Sequence, residues 1–329
     1  MLGRAATACV KFVSRFLHCL RRSGPAPDNL WLVRQIATTG WRTTLLLRFL
    51  RIRVTPDALK RVQALDLPLD ERARLFTAAI SYINVNETAK TTGQHRTRLA
   101  DEAIARRAAE FTRVSLFDLG VSDGTASLDL LESLPNLTQA VLADRHVRLY
   151  ARGPAAFRTF LDGEHRLLGV KILGVYVSLS LSATMDPSKF ESIGTLNPLV
   201  QLRLGERSVV RFDAARDLLK PPATLIKCAN LLNPVYFSGG ALRAAAANIG
   251  RSLVDGGYLC ISQNHARYPQ GEAYLILRRQ GDALFLAEEK GALEAEAFLR
   301  PFPLHLPEAG CDEGSCAHGT SRRPAREGK

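Results

Sequence analysis

The chain has 329 residues, 46% of them hydrophobic, and a formal net charge of +12. That length accommodates one large α/β domain with appendages. Residues 1–60 carry eleven Lys and Arg against two acids, and residues 311–329 carry four against three. About +2 is left for everything between, which excludes a broad nucleic-acid-binding face there. The six cysteines, Cys9, Cys19, Cys228, Cys260, Cys311 and Cys316, show no C-x-x-C spacing and read as reduced thiols of a cytoplasmic protein.

Residues 2–22 read as a basic amphipathic helix. Val10, Val13, Phe16, Leu17 and Leu20 form its stripe, Arg4, Lys11, Arg15, Arg21 and Arg22 carry its charge, and no acid occurs before Asp28. Such a segment lies on an anionic membrane surface, acts as a targeting peptide, or docks on its own chain. With Ser23–Pro27 as linker it makes an N-terminal unit, residues 1–27. Residues 28–90 read as a mostly helical cap, with starts at Asp57 and Asp70. Arginines interrupt its longest apolar runs, so no membrane span is expected. A polar loop holding Gly93, His95 and Arg96 follows, then a helix from Leu99 to Ala109.

Val114–Leu119 is an apolar run of strand formers. Gly120, Ser122 and Gly124 make a small-residue turn, and Leu128, Leu130, Leu131 and Leu134 recur at roughly helical spacing. Ala140–Ala143 is a second strand with Asp144 at its tip. This is a βαβ unit of a parallel sheet, and ligands of such sheets bind at the carboxyl ends of the strands. Asp118, the turn and Asp144 are therefore expected to line one crevice. Three readings of the turn stay open. A dinucleotide would place pyrophosphate beside the Asp118 carboxylate, and the spacing is G-x-S-x-G. A serine hydrolase would use Ser122 in a nucleophile elbow, but no strands or oxyanion loop are evident upstream.

The third reading is a resemblance. Asp118-Leu-Gly120-Val-Ser122-Asp123-Gly124, followed 26 residues after Asp118 by Asp144, resembles the first two motifs of the class I S-adenosylmethionine (SAM) dependent methyltransferases, with Ser122 where the family often has glycine. The resemblance implies a Rossmann-like sheet of seven mostly parallel strands with an antiparallel last strand, SAM as cofactor, and direct methyl transfer to a small-molecule or protein acceptor. It also implies roles. Asp118 would orient the amino-acid end of SAM, Gly120, Ser122 and Gly124 would admit the ligand close to the backbone, and Asp144 would accept from the ribose hydroxyls. Arg96, with Gly93, would hold the methionine carboxylate. The competing class is a SAM-fold scaffold protein without activity.

Beyond Asp144, Tyr150–Gly163 reads as helix then turn. Residues 167–173 and the alternating Val175–Leu181 read as a hairpin, within a small β insertion at about 151–205. Val209–Phe212 is the next core strand. Asp213 after it resembles the adenine-contacting acid of the family or, equally, caps a helix. Ala223–Ala229 is strand four. Asn230-Leu-Leu-Asn233-Pro-Val-Tyr236 after it resembles the strand-four motif of the family; Asn230 joins the cofactor set, and Asn230, Asn233 and Tyr236 are the catalytic candidates. Asparagine as a turn residue is the plain alternative. A helix over Ser238–Leu253, a strand at Tyr258–Ser262 and strands at Gly271–Arg278 and Ala283–Glu288 complete a methyltransferase-like domain over residues 91–303. Residues 304–329 read as a disordered tail. Its Cys311, Cys316 and His318 have no fourth ligand nearby, so no metal is expected.

Overall fold

This computed structural model describes residues 24–26, 30–38, 52–85, 88–89, 93–179, 184–204, 209–234 and 237–307. The expectations for residues 2–22, for Tyr236 and for the Cys311–His318 tail lie outside the described residues.

The N-terminal part holds β1 (Gly24–Pro25), α1 (Leu30–Thr38), α2 (Asp57–Gln63), α3 (Leu69–Ile80) and a short ribbon of β2 (Asn84–Val85) and β3 (Thr88–Ala89). Pro56 and Pro68 precede α2 and α3, where a fixed φ and a missing N–H cost nothing. Next come α4 (Arg98–Ala108), β4 (Val114–Leu119), a single 3₁₀ turn, α5 (Leu128–Ser133) and β5 (Leu137–Asp144). The segment between Asp144 and Val209 contributes β6 (Arg148–Arg152), β7 (Phe157–Leu161), β8 (Leu167–Ile172), β9 (Val175–Ser178), β10 (Glu191–Gly194) and α6 (Pro198–Leu204). The chain closes with β11 (Val209–Arg211), β12 (Ala223–Ala229), α7 (Gly239–Arg251), β13 (Leu253–Asn264), β14 (Glu272–Gln280), β15 (Ala283–Lys290), α8 (Glu296–Leu299) and β16 (Leu304–His305).

The main sheet has eight strands in the order β11-β5-β4-β12-β13-β14-β15-β16. The five from β11 to β13 run parallel, and the other three pair antiparallel in series. By order of appearance the parallel part reads 3-2-1-4-5, the arrangement of doubly wound nucleotide folds. One face buries Phe117, Ile226 and Ile261 under α7. The other buries Leu116, Leu225, Cys260 and Ile276 under α4 and α5. Parallel strands covered on both faces read as continuous apolar runs, which is why β4 and β12 stand where the sequence places them.

Four expectations are corrected. The main sheet has eight strands rather than seven, and its last three, not the last alone, pair antiparallel. The expected β insertion is present, with its hairpin at β8 and β9, but it is larger: its five strands and the edge strand Gly24–Pro25 form a six-stranded antiparallel sheet, β1-β9-β8-β7-β6-β10. Residues 150–163, read as helix, are β6 and β7: Leu149 and Ala151 of one and Phe160 of the other are buried with Phe76 and Ile80 of α3. The tail starts later than expected, because β16 pairs with β15 and buries Leu304.

The insertion rests on the N-terminal helices. Arg158 of β7 reaches Asp57 of α2 (Nε to Oδ1, 2.7 Å) and Glu191 of β10 (2.8 Å), and Lys60 joins the same glutamate. Among the described residues no helix is long and apolar enough to cross a membrane, and no group of His, Cys, Asp and Glu is arranged to hold a metal.

Candidate functional site

The carboxyl ends of β4, β5, β11 and β12 meet at the small-residue turn. Gly120 (φ 73°), Ser122 (φ 59°) and Gly124 (φ 80°) all adopt the left-handed conformation. Ser122 therefore fills a position where glycine carries no steric cost. Gly124 is also a packing requirement: a Cβ there would lie 2.9 Å from Val200 and 3.0 Å from Leu196. At Gly120 the same atom would meet Leu231, from the loop after β12, at 3.2 Å.

Asp144 caps the turn. Its Oδ2 accepts from the Ser122 amide at 2.9 Å and its Oδ1 from the His146 amide at 2.8 Å. Asp213, on the neighbouring tip, accepts from the Ala215 amide (3.1 Å) within a turn, with no helix after it to cap, and lies 3.8 Å from the Arg145 guanidinium. Arg145 is itself gripped by both oxygens of Glu164 at 3.0 Å.

Asp118 does not face the crevice. It is buried, hydrogen-bonded to the Ser127 side chain, and 3.7 Å from the Lys227 ammonium on the neighbouring strand. Lys227, a lysine inside an apolar strand, belongs to no motif in the sequence and is 1% exposed. Its Nζ donates to Thr97 Oγ1 (2.9 Å) and to the Ala126 carbonyl (3.2 Å), and it meets Asp101 Oδ1 at 2.7 Å. Burial pulls the amine's pKa down, but the charges of Asp118 and Asp101 outweigh it and hold Lys227 protonated. Burial in turn pushes both carboxyls up, with Lys227 opposing. One ammonium thus ties together the glycine turn, the start of α4 and the end of β4.

Asn230 is left-handed too (φ 57°) and forms a reciprocal pair with Asn264. Its Nδ2 donates to Asn264 Oδ1, and its Oδ1 accepts from the Asn264 amide, both at 2.8 Å. Asn264 Nδ2 then donates to the carbonyl of Arg96. Arg96 thereby enters the site through its backbone, anchored to the tips of β12 and β13. Asn233 is half-buried, and its carbonyl accepts from the Phe237 amide. The structure brings Gly120, Ser122, Gly124 and Asp144 together, gathers Asn230 and the Arg96 backbone at the next tips, and withdraws Asp118 beneath them.

Beside the turn lies a cavity of about 700 Å³, lined by Pro68, Asp70, Glu71, Ala73, Arg74, Thr77, Gln94, Thr125, Asn197 and Leu199. Its floor is hydrogen-bonded to the turn: Thr77 Oγ1 donates to Asp123 Oδ2 at 2.7 Å, and Asp123 Oδ1 accepts from the Thr125 amide at 3.0 Å.

No protein-family pattern matches the chain, and no curated protein matches it in sequence. Solved structures do resemble it in fold. An O-methyltransferase family protein from Burkholderia thailandensis is 14% identical over 74% of this chain and 56% of its own, at a TM-score of 0.33. The sugar N-methyltransferase KedS8 from Streptoalloteichus is 14% identical over 66% of this chain and 87% of its own, at 0.31. The amino pentose methyltransferase CalS10 from Micromonospora echinaspora, solved with SAM bound, is 14% identical over 58% of this chain and 67% of its own, at 0.28. These are likenesses of fold alone. The 3-2-1-4-5 parallel order of the main sheet, with an antiparallel strand beside the fifth, is that of an open Rossmann-like α/β sheet.

Proposed function

We propose that the chain binds SAM at the tips of β4, β5, β11 and β12 and transfers its methyl group to a small polar acceptor. One observation carries this reading: two carboxylates, Asp144 and Asp213, stand at the rim of the crevice where hydroxyl donors would meet them. Asp144 and Asp213 stand on adjacent strand tips, and the nearest guanidinium, Arg145, is already bound by Glu164. Carboxylates so placed accept from hydroxyl donors and suit a cationic sulfur. Asp144 would accept from the ribose, the Gly120–Gly124 backbone would lie against the nucleoside, and Asn230 and Leu231 would border the reacting end. The bound cofactor supplies an electrophilic methyl. The chain's own work is to align the acceptor and exclude water, so proximity rather than a strong base does most of it. The cavity beside the turn is the acceptor site in this reading. Its lining sets Asp70, Glu71, Arg74, Gln94 and Asn197 among apolar surface, which suits a small molecule with polar groups.

A second reading, a binding module without transfer, draws support from two features. Lys227 removes Asp118 from the crevice, and Leu231 packs onto Gly120. Isothermal titration with SAM and transfer of labelled methyl into fractionated extract separate the two. The enzyme reading expects binding and a labelled small-molecule fraction; binding without label favours the module. Asp144→Ala should weaken binding about tenfold or more, the worth of a charge-assisted hydrogen bond. Unchanged affinity in that variant would remove the crevice as the site.

A further inference from the structure

One wall of the cavity beside the turn is a single stripe of α3. Asp70, Arg74 and Thr77 recur at i, i+4 and i+7, the spacing of one helix face, and Glu71 stands beside them. Thr77 is the inner end of the stripe. Its hydroxyl bonds Asp123 and lies 3.1 Å from the Thr125 hydroxyl of the turn. With a rise of about 1.5 Å per residue, Arg74 sits roughly 4–5 Å further out and Asp70 roughly 10 Å. From the turn to the mouth the order is therefore hydroxyl, guanidinium, carboxylates.

The two ends of the stripe differ in how their polar groups are occupied. At the floor, Thr77, Asp123 and Asn197 are hydrogen-bonded to one another. Towards the mouth, Asp70, Glu71, Arg74 and Gln94 make no side-chain hydrogen bond or ion pair among the described residues. Asp70 and Arg74 have the i, i+4 spacing and the acid-first order that favour a helical ion pair. Such pairs close elsewhere, between Arg98 and Glu102 and between Glu296 and Arg300. Arg106, Arg145 and Arg158 are likewise each held by a carboxylate. Two acids in a first turn suit the helix dipole, which accounts for Asp70 and Glu71 but not for an unpaired arginine one turn on, facing the same cavity. The group left open by Arg74 matches a carboxylate, which its planar fork binds through two N–H groups. The group left open by Glu71 and Asp70 matches an ammonium. Glu71 and Arg74, three residues apart, are surface neighbours with Cβ atoms about 5–6 Å apart, a span that one amino-carboxylate bridges. Two acids against one base at the mouth disfavour a phosphate ester.

We propose that the acceptor is a small zwitterion, an amino-carboxylate held by Arg74 at its carboxylate and by Glu71 and Asp70 at its ammonium, with its side chain directed along α3 towards Thr77 and the turn. This deepens the methyl-transfer reading and rests on it. The test incubates the full chain with labelled SAM and deproteinised cell extract, then passes the products over ion exchangers. The labelled product should be retained by a cation exchanger in acid and by an anion exchanger in base, as an amino-carboxylate is. Arg74→Gln and Glu71→Gln should each raise KM for the purified acceptor about tenfold, the loss falling on KM rather than kcat. SAM affinity by titration and the melting temperature should stay close to the parent's. Label in a neutral or purely anionic product, with SAM bound, would overturn this inference and leave methyl transfer standing. An unmoved KM in both variants would also overturn it, because Arg74 and Glu71 would then be a solvated helix face. SAM bound without any labelled product, or no SAM bound, would remove the methyl-transfer reading and this inference with it.

Discussion

Lys227 is where single-residue chemistry departs most from what motif spacing suggests. An ammonium with two carboxylates and a hydroxyl around it, all buried, is costly to assemble and costlier to break. Lys227→Met leaves Asp101 and Asp118 buried without their counter-charge and should destabilise the fold by about 3–5 kcal/mol at neutral pH. Adding Asp101→Asn and Asp118→Asn to that variant should recover much of the loss, because neutral amides need no counter-charge. Denaturant midpoints of the single and triple variants check this; a triple variant no more stable than the single would show that Lys227 acts by packing alone. The pair was invisible in sequence because Lys227 and Asp101 are far apart in the chain and meet only through the docking of α4. Asp118 sat where a ligand-binding acid is expected, and spacing alone does not reveal which way a carboxylate points once a lysine occupies the next strand. Asp144 was legible because a polar residue ending an apolar parallel strand stands at the tip by construction.

Helix α4 is the element on which the polar face of the sheet depends. Its first amides, on Leu99 and Ala100, donate to Glu272 of β14 at 2.9 and 3.4 Å. Burial nevertheless pushes the Glu272 carboxyl up to about 7, with those two amides opposing. The folded state therefore binds more protons than the unfolded chain between the ordinary glutamate range and pH 7. Stability should fall as pH rises through that window and level off above it. Glu272→Gln keeps one acceptor oxygen, enough for the shorter bond from the Leu99 amide, and removes the titration, so its stability should change less between pH 5 and pH 8 than the parent's. Urea midpoints at the two pH values decide it: an unaltered slope would assign the dependence to other groups. At this scale the sequence was most legible where periodicity was unambiguous, as in α3, α4, α7, β4 and β12. It failed at β6 and β7, which are five residues each: β6 buries alternate residues, Leu149 and Ala151, and β7 buries Phe160 and Leu161 in succession. A five-residue strand with one wet face and one dry face carries too few positions for its period to be told from a helix.

Across the whole molecule, helices, glycine turn and insertion converge on Asn197. Its Nδ2 donates to the Ala73 carbonyl and to Thr77 Oγ1 of α3, both at 2.9 Å, and more weakly to Asp123 of the turn at 3.4 Å. Its Oδ1 accepts from the Leu199 amide at the start of α6, and its own amide donates to the Asp123 carbonyl, each at 2.9 Å. The residue is fully buried. The insertion and the N-terminal helices also share a separate hydrophobic cluster, distinct from the two that cover the main sheet. They therefore have the means to fold as a unit, coupled to the sheet through this hydrogen-bonded node. Asn197→Ala strips partners from several buried groups at once and should cost about 2–3 kcal/mol. The more telling consequence is cooperativity. If the node is the main coupling, the variant's calorimetric unfolding should split into two transitions, the earlier belonging to the helices and insertion. Cofactor affinity should fall with it, because Asp123 holds the turn from that side. A single transition shifted to lower temperature would mean that packing, and not this asparagine, joins the two halves.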